Sequence, residues 1–96
     1  LYLPWASEVL QADRLQFDRC VSLLIAYNQS RDIRLLEAFS VGAGTYLTAH
    51  SDHNLMDSLI RVDTALGFTR QAQQMRHRAQ VSFPADPRFS PEGVRP

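Results

Sequence analysis

At 96 residues the chain is one domain at most. A chain of that size buries a smaller fraction of its surface than a typical domain, so oligomerisation is a common way of making up its stability. With 45% hydrophobic and 21% charged residues, it is too apolar for a disordered polymer and too interrupted for a membrane span. The formal charge is zero, with ten acids against ten bases, so any polarity must be local.

All ten bases are arginine, which favours forked contacts to carboxylate or phosphate over a diffuse cationic coat. They are unevenly placed: four of them, Arg61, Arg70, Arg76 and Arg78, lie in residues 61–80 against the single acid Asp63. The lone Cys20 cannot form an intramolecular disulfide and has apolar helical neighbours, so it reads as a small core residue. The opening stretch LYLPWASEVL has neither a basic start nor a sustained apolar run. No signal peptide is expected, and the chain is expected to be intracellular.

Along the chain, Asp13 opens the strongest helical signal, running to Phe39. Phe17, Cys20, Val21, Leu24, Ile25, Leu35, Leu36 and Phe39 recur near one side at 3.6 spacing and are the candidate core and self-association residues. The stripe turns polar at Asn28 to Asp32. One long helix is the preferred reading; the alternative is two helices broken at Asn28-Gln29-Ser30, with Ser30 capping the second. Tyr2 and Trp5 are expected to pack against this helix.

The next segment, SVGAGTYLTAHSDHN, holds two glycines, β-branched and aromatic residues and a polar cluster. It is expected to be an extended connector, with a short strand at Thr45 to Thr48. Asn54 can cap a following helix whose apolar side is Leu55, Leu59, Ile60, Val62 and Leu66, stopped by a left-handed Gly67. Thr69 then caps a last helix over residues 70–80, with Ala72, Met75 and Ala79 on one side. From Phe83 the proline-punctuated FPADPRFSPEGVRP is expected to be an extended tail. The expected fold is all-α, divided into a helical domain over residues 1–82 and a tail over 83–96.

Two helices joined at Leu66-Gly67-Phe68-Thr69, with arginines on the second, invite a helix-turn-helix reading. Gln73 and Gln74 leave that second helix only a thin apolar face to seat it, so the arginines suit phosphate contact better than base reading. Salt bridging to the acidic first helix of a neighbouring copy competes with it. His50, Asp52 and His53 cluster in sequence but lack the fourth ligand a closed zinc site needs, and read as a solvated turn. Gly42-Ala43-Gly44 is too short for a phosphate loop and lacks its Lys-Ser/Thr ending. Asp13 with Asp18, and Asp32 with Glu37, read as solvated helix faces. No catalytic residue, metal or cofactor is expected.

Residues 10–80 resemble the small terminase subunits of tailed bacteriophages. The residues that carry the resemblance are Leu10-Gln11-Ala12-Asp13-Arg14-Leu15 with Phe17 and Tyr27, then Asn54-Leu55, then Leu66-Gly67-Phe68-Thr69 followed by Arg76. The last of these is similar to a family ending of Leu-Gly-Leu-Thr-Pro with a nearby arginine. Arg70 stands where that proline is usual, Leu55 where proline is frequent, and the family's basic N-terminal stretch is absent. The resemblance implies a ring-shaped homo-oligomer in the host cell cytoplasm. Such a ring recognises the packaging site on viral double-stranded DNA and regulates a large ATPase and nuclease subunit. On that reading Arg61, Arg70, Arg76 and Arg78 become phosphate contacts, and the tail, with Phe83 and Phe89 as anchors, docks the large subunit. The alternatives are a dimeric helix-turn-helix regulator using residues 55–78, or a helical adaptor that binds only protein.

Overall fold

A computed structural model describes residues 4–90, with side chains from residue 14 onward. The described residues form four α-helices: α1 (Pro4–Ser30), α2 (Ile33–Ala49), α3 (His53–Ala65) and α4 (Thr69–Ser82). The chain divides into two units, the first ending at Thr48 and the second starting at Ala49. The all-α expectation therefore holds, while several boundaries move.

The long helix expected over residues 13–39 starts earlier, with Pro4 at the first position, where a missing N–H costs nothing, and it breaks in the middle. The break falls one residue past the alternative site. Arg31 adopts the left-handed conformation (φ 59°) and donates its N–H to the Tyr27 carbonyl at 2.7 Å. Ser30 does not cap α2, because its hydroxyl bonds back to the Ala26 carbonyl at 3.0 Å. Asp32 caps instead: its Oδ1 accepts from the Arg34 N–H at 3.0 Å, and its carboxylate is forked by the Arg34 guanidinium at 2.7–3.2 Å.

The segment expected as an extended connector is helical to Ala49. Two forces override its glycines, each of which costs about 1 kcal/mol relative to alanine in a helix. Leu36, Phe39, Ala43 and Leu47 continue a buried stripe at helical spacing. The β-branched threonines are accommodated because Thr45 and Thr48 bond their hydroxyls back to the Val41 and Thr45 carbonyls, at 3.0 and 2.7 Å.

Phe17 meets Tyr46 with ring centroids 5.6 Å apart, and Gly42 lies against the Cys20 sulfur. Those pairings make α1 and α2 an antiparallel hairpin. Cys20, Leu36 and Phe39 are buried as expected, and Phe17, Leu24 and Leu35 are half-buried. Val21 and Ile25 are not core: 38% and 54% exposed, they sit a residue round the helix from the Phe17-Cys20-Leu24 face that meets α2.

The second unit is a tighter hairpin. Asp52, not Asn54, caps α3, its side chain accepting from the Leu55 N–H at 2.8 Å. At the other end Gly67 takes φ 83°, and the Phe68 and Gly67 N–H groups bond the Asp63 and Thr64 carbonyls, at 2.8 and 3.1 Å. This paired closure is the Schellman arrangement that a left-handed glycine permits. Thr69 is the first residue of α4 rather than its cap, and the cap position, Phe68, makes no side-chain cap bond. Leu55, Met56, Leu59, Ile60 and Val62 of α3 are buried with Ala72 and Ala79 of α4.

The tail expected to be extended folds back instead. Over Phe83 to Ser90 it makes successive turns, with the Asp86 and Phe89 N–H groups bonding the Phe83 and Asp86 carbonyls, at 3.1 and 3.2 Å. Its closing residue, Phe89, is fully buried. The expected packing of Tyr2 and Trp5 and the tail beyond Ser90 lie outside the described residues. Among the described residues no helix is long and apolar enough to cross a membrane.

Candidate nucleic-acid interface

The α4 sequence TRQAQQMRHRAQVS contains no carboxylate. Its inner face is Ala72 and Ala79, buried, with Met75 half-buried beside them. The thin apolar face is thus enough to seat the helix, because alanine lets two backbones approach closely where larger side chains would hold them apart. The helix is joined to α3 through the short Leu66-Gly67-Phe68 turn.

Of the four arginines expected at phosphate, the structure gives each a different situation. Arg70 is exposed and makes no hydrogen bond or ion pair among the described residues. Arg76 is exposed and donates from Nη1 to the Arg88 carbonyl at 3.1 Å, which leaves the rest of its guanidinium free. Arg78 is half-buried and donates from Nη2 to the His50 carbonyl at 2.9 Å, tying α4 to the segment ahead of α3. Arg61, on α3, pairs with Asp57 one turn earlier at 3.1 Å while staying exposed. Arg70 and Arg76 are therefore the two best placed to meet an anion, and Arg78 has a structural tether.

Among the described residues, the acids of this unit are withdrawn from that surface. Asp52 caps α3, and Asp63 is buried. Asp57 faces Arg61 and Arg88, at 3.1 and 3.6 Å. Asp86 is forked by Arg88 at 2.8 Å and lies 3.2 Å from His53 Nδ1. The Arg88 hydrogen bonds, helped by the His53 contact, hold the Asp86 carboxyl well below the usual carboxylate range, so it stays ionised. With these carboxylates used in this way, the cations of α4 face no uncommitted acid among the described residues of the unit.

The cluster around His53 is a clamp for the folded tail. The His53 ring also meets Phe83 in a tilted contact, centroids 5.4 Å apart, and Phe83 in turn meets Phe89 at 6.4 Å. Phe89 is committed to the chain's own core, and Phe83 is half-buried beside an open hollow of about 230 Å3 lined by Gln80, Phe83, Pro84, Asp86, Phe89 and Ser90. Neither His50, Asp52 nor His53 joins a group arranged to hold a metal among the described residues. Cys20 is buried against α2, and that burial pushes its thiol above the ordinary range.

Sequence reasoning gives no binding role to Gln73, Gln74 and His77, which the structure places on the exposed side of α4 with Arg70. The signal that could have found them is the spacing 70, 73, 74, 77 together with the lack of any acid in the helix. Compared with known proteins, the chain matches no family model, no curated protein and no solved structure.

Proposed function

We propose that the chain is a non-catalytic DNA-recognition subunit that works as a homo-oligomer, the small subunit of a viral DNA-packaging terminase. In that role it recognises the packaging site on viral double-stranded DNA and regulates the large ATPase and nuclease subunit in the host cytoplasm. The observation that carries DNA recognition is the acid-free α4, which presents Arg70 and Arg76 to solvent from a hairpin whose carboxylates are capped, buried or paired. The packaging role rests on the resemblance of residues 10–80. Self-association is supported by aliphatic side chains that α1 leaves in water, Leu15, Val21 and Ile25. A ring would repeat one or two arginine-phosphate contacts per subunit, turning weak contacts into useful avidity.

The short turn between α3 and α4 favours a second reading, a dimeric helix-turn-helix regulator. Native mass spectrometry separates the two, since a closed assembly of many copies belongs to the terminase reading and a dimer to the regulator. DNA binding is tested by fluorescence anisotropy on a labelled duplex at rising salt. Substituting Arg70 and Arg76 together by alanine is expected to weaken binding and to flatten the log-log salt slope by about 0.9 for each phosphate no longer neutralised. No binding to duplex even at low salt refutes DNA recognition and brings the protein-only adaptor forward.

A further inference from the structure

Three polar side chains on α4, Gln73, Gln74 and His77, are assigned no task by a phosphate-binding surface alone. Arg70, Gln73, Gln74 and His77 stand at i, i+3, i+4 and i+7, which puts them on one face of the helix, opposite the buried Ala72 and Ala79. All four are exposed, and none makes a hydrogen bond or ion pair among the described residues. Two of them are uncharged amides at the centre of the stripe. An amide adds little to attraction for a phosphate, yet it offers a donor and an acceptor side by side.

We propose that this stripe enters the major groove of double-stranded DNA and reads base edges, with Gln73 and Gln74 as the specificity-determining residues. The inference rests on the DNA-recognition reading and deepens it, by naming the side chains that discriminate sequence. The chemistry matches what the groove displays: a glutamine amide pairs with the N6 and N7 edge of adenine, and an arginine fork with O6 and N7 of guanine. The dimensions match too. From Arg70 to His77 the helix rises about 10 Å, close to three steps of roughly 3.4 Å along one DNA strand. Beyond His77 the stripe continues to the exposed Val81, an apolar group suited to a thymine methyl. Arg76, on the flank of the stripe, is exposed and spends only Nη1 on the Arg88 carbonyl, so the rest of its guanidinium can hold the adjacent phosphate backbone.

The test is selection of the full chain on a pool of duplexes with a randomised core, read by sequencing. The wild type is expected to enrich a short motif of three to four base pairs with about tenfold preference or more over the unselected pool. Gln73→Ala with Gln74→Ala is expected to erase that preference while low-salt affinity for the unselected pool changes less than about threefold, because the cationic side chains are all kept. The isosteric pair Gln73→Glu and Gln74→Glu must also lose the motif, with circular dichroism showing the helices intact in both variants. Duplex binding without any enriched motif, or a motif that survives both substitutions, overturns base reading and leaves DNA recognition standing. Absence of duplex binding at low salt overturns both.

Discussion

The two units solve the same problem, a helical hairpin with too little core, in different ways. In the second, the chain past α4 turns back and inserts Phe89, so that α3, α4 and the tail enclose Leu55, Met56, Leu59, Ile60, Ala72 and Ala79. In the first, α1 and α2 have no such third element among the described residues, and Leu15, Val21, Ile25, Ile33 and Val41 are left between 38% and 72% exposed. Among the described residues, the second unit keeps only Phe68 and Val81 comparably open. A hairpin closed by its own tail can give its polar helix to a ligand, whereas one that leaves aliphatic surface in water gains by association. That division places recognition in α4 and self-association on α1 in the proposed function.

The most direct way to break the comparison is to remove the closing residue. Phe89→Ala deletes a fully buried ring that faces Phe83 and is expected to cost about 3–5 kcal/mol, read by circular dichroism as the disappearance of a cooperative thermal transition. If the melt is unchanged, the tail is not what closes the second unit and the contrast between the units fails.

A smaller effect separates the two turns. Both hairpins bend through a left-handed residue, glycine at Gly67 (φ 83°) but arginine at Arg31 (φ 59°). A Cβ on Gly67 meets nothing within 4 Å, so Gly67→Ala carries only backbone strain, about 1–2 kcal/mol destabilising by chemical denaturation. Arg31→Gly works in the opposite direction. It relieves the strain but loosens the unfolded chain and removes the guanidinium that lies 5.5 Å from the Tyr27 ring centroid, leaving a gain of less than about 1 kcal/mol.

These turns also show what can be read from sequence. Gly67 is legible because a glycine directly after an apolar helical stripe has one common use, the left-handed stop. The Arg31 bend is not, since nothing in arginine signals φ above zero, and the preferred reading runs one helix through it. The glycines and threonines of residues 42–48 mislead in the other direction. Their local preferences argue for an extended chain, while the tertiary stripe Leu36-Phe39-Ala43-Leu47 against α1 decides for helix. At the candidate site the arginines are visible in the sequence, but not which of them are already engaged. Arg78 bonds a carbonyl 28 positions away, and no local pattern reports such a contact.

The least disruptive test compares one motif used twice. Asp32-Ile33-Arg34 and Asp86-Pro87-Arg88 form the same clasp, in which the carboxylate accepts the N–H two residues on, at 3.0 Å in each, and is forked by that residue's guanidinium. Both carboxyls are held below their ordinary range, chiefly by the arginine hydrogen bonds. A depressed folded-state value means that each clasp contributes stability above the ordinary carboxylate range and loses it as pH falls through the folded value. Melting temperature should therefore decline in acid, beginning near pH 4 and continuing well below it. The units differ in what the clasp holds. Asp32 serves a helix start, whereas Asp86 also meets His53, and its arginine reaches Asp57, so the second clasp pins the tail that carries Phe89. Asp86→Asn is expected to flatten the acid dependence of melting more than Asp32→Asn does, by a few degrees at most because solvent reaches the arginine of each clasp and screens the pair. Equal flattening in the two variants would mean that the His53 and Asp57 contacts add nothing, and that Phe89 burial alone keeps the second unit closed.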